Sequence, residues 1–228
     1  MIPTILDSIF IHSNIHPNKV ALVSGEDRLT YGELGSKILL RASTLKGLGV
    51  SKHSRQIVFA RHSFEFVVNY FACHFLGATA VVLDPSISKG NLRVIKTRLN
   101  IGDIITERLS KLSSENNFGR SDQEQVDDAD LLFTSGTTAL PKGVLLTHQN
   151  IYTSAMRINR FIGIRTEDIE LIMMPLCHSF GLTRLRCALL GGLTCVLIDG
   201  FSRPKRFFKA LSICANSTLL AVKMLKYL

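Results

Sequence analysis

The residues best equipped for chemistry lie together in the run LLFTSGTTALPKGVLLTH, residues 131–148. An apolar segment, 131–133, passes into Thr134, Ser135, Gly136, Thr137, Thr138, Ala139, Leu140, Pro141, Lys142 and Gly143. Glycine allows backbone N–H groups to turn toward a ligand, the hydroxyls add further donors, and Lys142 supplies a mobile point charge. In a loop at the carboxyl end of a strand, such a set can cradle a polyphosphate. The P-loop pattern G-x-x-x-x-G-K-[ST] has its lysine at the same offset from the first glycine as Lys142 from Gly136. Pro141 stands where that pattern needs its second glycine, and Gly143 replaces its magnesium-binding hydroxyl, so the P-loop does not fit. A merely flexible Ser/Thr/Gly surface loop is disfavoured by the strongly apolar segments on either side.

Two cysteine–histidine neighbours also call for a reading. Cys177 precedes His178, but adjacent side chains point in different directions and do not make a nucleophile–base pair. Cys73 and His74 fall inside a helical pattern and read as packing residues. Neither pair has partners at zinc-ligand spacing, and no metal ligand is assigned.

Strands and helices must hold the loop in place. Residues 56–60, QIVFA, read as a short strand, and SFEFVVNYFACHFLG follows with Phe64, Val67, Val68, Phe71, Ala72 and Phe75 on one helical face. Ser63 can cap that helix at its start and Gly77 at its end. TAVVLD is the next strand, stopped by Pro85. The pattern recurs with a strand at 131–133, a helix at 148–161 and a strand at 169–174. It recurs again with a helix at 180–190, a strand at 193–198 and a helix opened by Pro204. Continuous apolar strands alternating with one-faced helices predict an α/β fold of layered parallel sheets flanked by helices. The polar stretch 111–130 lacks periodicity and reads as a surface loop.

Of the 228 residues 46% are hydrophobic, enough to bury a real core. Lys plus Arg outnumber Asp plus Glu by 27 to 18, a formal charge of +9 that favours anionic partners. A nucleic-acid partner is not expected, because the chain has no recognition helix, aromatic–glycine RNA motif or zinc module. The five cysteines are odd in number and sit mostly in apolar runs, which reads as core thiols in a reducing compartment. The amino terminus has no basic flank, and the longest apolar run is about twelve residues, short of a membrane span. A soluble cytoplasmic protein is expected.

The run FTSGTTALPKGVLLTHQNI resembles the phosphate-loop signature of the adenylate-forming (AMP-binding) superfamily, which includes acyl-CoA synthetases and the adenylation domains of peptide synthetases. LTYGEL (29–34), LGATAVVLDP (76–85) and MMPLCHSFGL (173–182) are similar to further segments of that family, in order. The resemblance implies ATP-dependent activation of a carboxylic acid to an acyl-adenylate, with ATP and Mg2+ as cofactors. It implies transfer to CoA or a phosphopantetheine carrier, and a place in fatty acid metabolism. Thr134, Ser135, Gly136, Thr137, Thr138 and Lys142 would hold the outer phosphates. Lys142 and His178 would be the catalytic residues, His178 lining the pocket beside the carboxylate and α-phosphate. The alternative for His178 is a helix-capping or core histidine.

The sequence departs from the family pattern in two ways. Ala139 stands where the family has glycine, and if a positive φ is needed there, alanine costs on the order of 1 kcal/mol. Family members also carry a Tyr-Gly-x-Thr-Glu segment with a magnesium-binding glutamate, a ribose-binding aspartate, and a small mobile domain with a lysine. Residues 1–228 contain none of these and are expected to be a partial N-terminal adenylation domain lacking the C-terminal mobile domain. Alone the chain is expected to be inactive or very weak, either awaiting a second polypeptide with the missing motifs or a remnant that binds nucleotide.

Overall fold

The structure is a computed structural model, and it describes residues 3–101, 118–119, 122–124, 126–134, 142–200 and 208. The chain is α/β and divides into two compact units. One comprises residues 1–35, 62–64 and 149–228, the other residues 36–61 and 65–148.

In the first unit, α1 (Ile5–Ile15) starts at a capping box: Asp7 N–H donates to Thr4 Oγ1, and the Asp7 carboxylate accepts from Thr4 N–H. Strands β1 (Val20–Ser24) and β2 (Asp27–Thr30) form an antiparallel hairpin. Thr30 and Glu33 make a second reciprocal box that opens α2 (Tyr31–Gly47), a helix assigned to the second unit from Ser36 onward, so the T-x-x-E within LTYGEL is a helix start. Further along the chain come α5 (His148–Ile162), β7 (Ile169–Ile172), α6 (Ser179–Leu190) and β8 (Thr194–Leu197). The sheet order is β2-β1-β8-β7, with β8 parallel to both β1 and β7. Val23, Leu171, Val196 and Ile198 form a buried cluster in this unit.

The second unit holds β3 (Arg55–Phe59), α3 (Phe64–Phe75), β4 (Thr79–Leu83), α4 (Lys89–Leu99), β5 (Asp128–Thr134) and β6 (Lys142–Thr147), although the first residue of α3 belongs to the other unit. Sheet order is β3-β4-β5-β6. Helix α3 closes in a Schellman motif: Ala78 N–H donates to Cys73 O and Gly77 N–H to His74 O. Gly77 takes φ +64° there, with Glu124 Cβ and Val126 Cγ1 each 3.1 Å from where a Cβ would stand. Every residue of β4 is buried, as a continuous apolar run between two neighbouring strands should be.

The structure corrects two expectations. The strand at 131–133 and the strand at 169–174 are not joined by a crossover within one sheet. Residues 142–147 form β6, antiparallel to β5, and β7 belongs to the other sheet. Seven residues between β5 and β6 are too few for a parallel crossover, which takes about a dozen or more, whereas a hairpin needs only a few. The polar stretch 111–130 also ends differently, because Asp128, Ala129 and Asp130 are strand, and Asp130 is completely buried. The helix opened by Pro204 lies outside the described residues.

Four cysteines, Cys73, Cys177, Cys187 and Cys195, are buried and form no disulfide; Cys214 lies outside the described residues. Burial pushes the Cys73 thiol up to about 12 and the Cys187 thiol up to about 11. Both thiols therefore keep their protons in the folded chain at a pH where the unfolded chain loses them. Their contribution is fully present below about pH 9 and falls as pH rises toward those values, by about 1.4 kcal/mol per pH unit per thiol. The urea midpoint is expected to drop between pH 8.5 and 10.5, and Cys73→Ala should flatten that slope. A slope identical in Cys73→Ala would exclude Cys73 as its source.

Candidate active site

The hydroxyl-rich loop is the tip of the β5/β6 hairpin. Thr134, the last residue of β5, is the ladder partner of Lys142, the first of β6, and the register runs unbroken from there to the Asp130–Leu146 pair. The neck of the loop is thus closed by two of the residues that the sequence singled out. Their Cα atoms are ladder neighbours, which places them about 4.5–5.5 Å apart. The loop leaves the carboxyl end of β5, which is parallel to β4, as expected for a ligand-binding loop of an α/β sheet. Lys142 is exposed. Gly143 follows because space is short: a Cβ there would sit 3.2 Å from Leu131 Cδ1 and 3.4 Å from Phe133 Cε1. Ser135, Gly136, Thr137 and Thr138, with Ala139, lie outside the described residues.

At the base of the hairpin, Asp130 accepts hydrogen bonds from Tyr70 Oη and His74 Nε2, both at 2.9 Å. Asp130 and Tyr70 were not expected among the functional residues. His74, read as packing, is indeed buried in α3, but it faces a carboxylate.

His178 belongs to the other unit. It occupies the N-cap position of α6 with φ −96° and ψ 147°, is exposed, and makes no side-chain capping bond. Of the two alternatives for His178, the structure gives it the helix-capping position, through its backbone and not its side chain, and not a core one. Cys177 beside it is buried, whereas His178 is exposed. The loop that carries His178 folds back tightly on α6. His178 N–H donates to Pro175 O at 3.1 Å, and Leu182 N–H donates to His178 O at 3.1 Å. A Cβ at Gly181 would stand 2.5 Å from Pro175 O and 2.7 Å from Met174 O, so the glycine of HSFGL is needed for this approach. His62 Nε2 donates to Met174 O at 2.9 Å, and its Nδ1 lies 3.8 Å from Asp199 Oδ1. No sequence pattern pointed to His62, which follows β3 and anchors a loop far along the chain.

The frame of this loop contains a buried ion pair. Arg184 on α6 donates from Nε and Nη2 to the two carboxylate oxygens of Glu170 on β7, at 2.8 and 2.7 Å. Burial pushes the Glu170 carboxyl up, and the guanidinium beside it pulls it back. Among the described residues no group of three or more His, Cys, Asp or Glu side chains could hold a metal ion, and no helix is long and apolar enough to cross a membrane.

Residues 10–225 match the AMP-binding enzyme family. The chain is 26% identical over 215 residues to a 2-succinylbenzoate–CoA ligase of Bacillus cereus, covering 88% of this chain and 45% of that protein. An o-succinylbenzoate CoA synthetase of Bacillus subtilis, solved with its acyl-adenylate intermediate, superposes with a TM-score of 0.81 at 25% identity. That superposition covers 96% of this chain and 64% of the solved one. The same enzyme solved with ATP and magnesium gives a TM-score of 0.79 at 26% identity, over 93% of this chain and 62% of that one. These matches lend no support to a place in fatty acid metabolism, since the acid they name is 2-succinylbenzoate. The chain spans less than half the length of the curated relative.

Proposed function

Since the chain belongs to the AMP-binding enzyme family, we propose that it carries the phosphate-gripping part of a ligase that activates a carboxylic acid with ATP. In that reaction a carboxylate oxygen attacks the α-phosphorus, the bond to the bridging oxygen breaks, and pyrophosphate leaves. The acyl group then passes to a thiol, either CoA or a carrier-protein phosphopantetheine, in the cytoplasm. The observation that carries this reading is the hairpin neck, in which Thr134 and Lys142 face each other at the carboxyl end of a sheet strand. Ser135, Gly136, Thr137 and Thr138 would supply the rest of the cradle, and magnesium would offset the charge of the phosphates. His178, exposed at the start of α6, would meet the carboxylate. Residues 1–228 correspond on this reading to the N-terminal part of an adenylation domain, and 2-succinylbenzoate is the first acid to test.

A second reading draws on the 45% span of the relative's length. These residues would bind nucleotide and perform catalysis only with a polypeptide that carries the remaining motifs.

The test is calorimetry with ATP and AMP. Lys142→Ala removes a charge directed at the outer phosphates, so the ATP dissociation constant should rise roughly ten- to a hundredfold. AMP binding should change by no more than about twofold, and Lys223→Ala or Lys226→Ala should leave both nucleotides nearly unaffected. Equal losses for ATP and AMP at Lys142→Ala would show that the lysine does not serve the outer phosphates.

A further inference from the structure

Asp130 is a carboxylate with no exposure at all, placed on β5 at the base of the hairpin. A carboxyl group is retained in such a place only where it is hydrogen-bonded, because desolvation of the unpaired ion is severe. Both of its named donors, Tyr70 and His74, lie one turn apart on α3. The imidazole of His74 in turn packs edge-on against that of His148, with centroids 4.7 Å apart and planes at 81°. His148 is the residue immediately after β6, and its N–H donates to Asp127 O at 2.8 Å. The cluster therefore touches α3, the strand entering the loop and the residue that follows the strand leaving it.

Two features of the ladder make this cluster matter. A register irregularity lies between Asp128 and Asp130, so Asp130 is where the regular part of the hairpin begins. From there the ladder runs to the Thr134–Lys142 neck, roughly 13 Å along the strand. Among the described residues the other leg, β6, is the edge of the sheet, and Lys142, Gly143, Val144 and Leu145 are all exposed. An edge strand with so little packing is held chiefly by its ladder, and it frays unless its base is fixed.

We infer that Asp130, Tyr70 and His74 form a positioning clamp for the hydroxyl-rich loop, fixing the base of the β5/β6 hairpin to α3 so that the neck presents Lys142 in one place. The residues act through the hairpin and do not touch the ligand. The clamp stands on the geometry of the hairpin; its consequence for nucleotide rests on the proposed function.

Amide hydrogen exchange on the 228-residue protein tests the clamp without any ligand. Tyr70→Phe removes one hydroxyl and leaves the rest of the core intact. The amides of β6, with those of Phe133 and Thr134, should then exchange roughly tenfold faster. Those of β7 and β8 in the other unit should stay unchanged. Asp130→Asn should give a larger effect with the same pattern. His74→Gln, which keeps an N–H donor, should retain much of the protection that His74→Leu loses. Uniform acceleration over both sheets, or unchanged β6 amides in Tyr70→Phe and Asp130→Asn, would overturn the clamp. ATP titration of the same variants should show a dissociation constant raised about fivefold, with AMP nearly unchanged. Wild-type protein that bound no ATP would remove the nucleotide reading, while the exchange data would still decide whether the clamp exists.

Discussion

A purified polypeptide of these 228 residues is expected to give no carboxylate-dependent exchange of labelled pyrophosphate into ATP at ordinary ligase rates. The reaction is a displacement at phosphorus, in which the protein contributes position and charge and little covalent chemistry. The charge must come from both sides of the phosphate chain. On the proposed function, Lys142, the ladder partner of Thr134 at the neck of the loop, would supply one side together with that loop. By the family resemblance, the other side is a magnesium-bound glutamate, a ribose-binding aspartate and a mobile lysine. The sequence contains no Tyr-Gly-x-Thr-Glu segment that would carry the glutamate. Each such contact is typically worth ~3–4 kcal/mol, or roughly a hundred- to a thousandfold in rate. These losses do not add, but even two of them together should place exchange below detection. Nucleotide binding should survive on the proposed function, because the hairpin is local and its loop sequence is rich in hydroxyl-bearing residues. The measurement is exchange over 2-succinylbenzoate and over short, long and other aromatic acids. Rates typical of a ligase from the pure polypeptide would refute the expectation. Rates restored by adding a polypeptide with the missing motifs would favour the split reading over a binding remnant.

What was legible in the sequence was what is encoded locally. The loop signature needed only residue types and spacing. Helix α3 was legible from its apolar face and from Gly77, whose positive φ and Schellman bonds are a short-range matter. The hairpin is less legible, because the apolar run 144–146 by itself marks a buried or half-buried segment and not the strand it pairs with. Loop length alone argued for antiparallel pairing with β5. Asp130 was missed for the opposite reason. It ends an acidic, aperiodic stretch, and nothing nearby in sequence says that a helix 56 to 60 residues earlier offers it two donors. His62 and Met174 are 112 residues apart, a contact visible only once the chain path is known. The T-x-x-E of LTYGEL is a different case: its capping box was readable from the residues themselves.

The ion pair between Glu170 and Arg184 gives the largest expected effect on stability. It joins β7 to α6, the helix that begins beside His178, and both side chains are about 5% exposed. Replacing Arg184 with Met keeps much of the volume but leaves the Glu170 carboxylate buried with its bidentate partner gone. That is expected to remove about 3–5 kcal/mol of stability, a large part of the roughly 5–15 kcal/mol that holds a domain folded. The loss should depend on pH with a definite sign. Burial already pushes the Glu170 carboxyl up, and removing the guanidinium takes away the influence that pulls it back. A carboxyl raised above its unfolded value contributes most when both states are protonated and loses that contribution as pH rises through the folded value. Arg184→Met should therefore lie closer to wild type near pH 4.5 than at pH 7. The double variant Arg184→Met with Glu170→Met removes both charges, and should recover most of the stability or exceed wild type by about 1–4 kcal/mol. Urea denaturation of the two single variants and the double, at both pH values, yields the coupling energy directly. Simple additivity of the single losses, with no difference between pH 4.5 and 7, would mean that the carboxylate is not held charged by Arg184, and the pair would have to be read as packing alone.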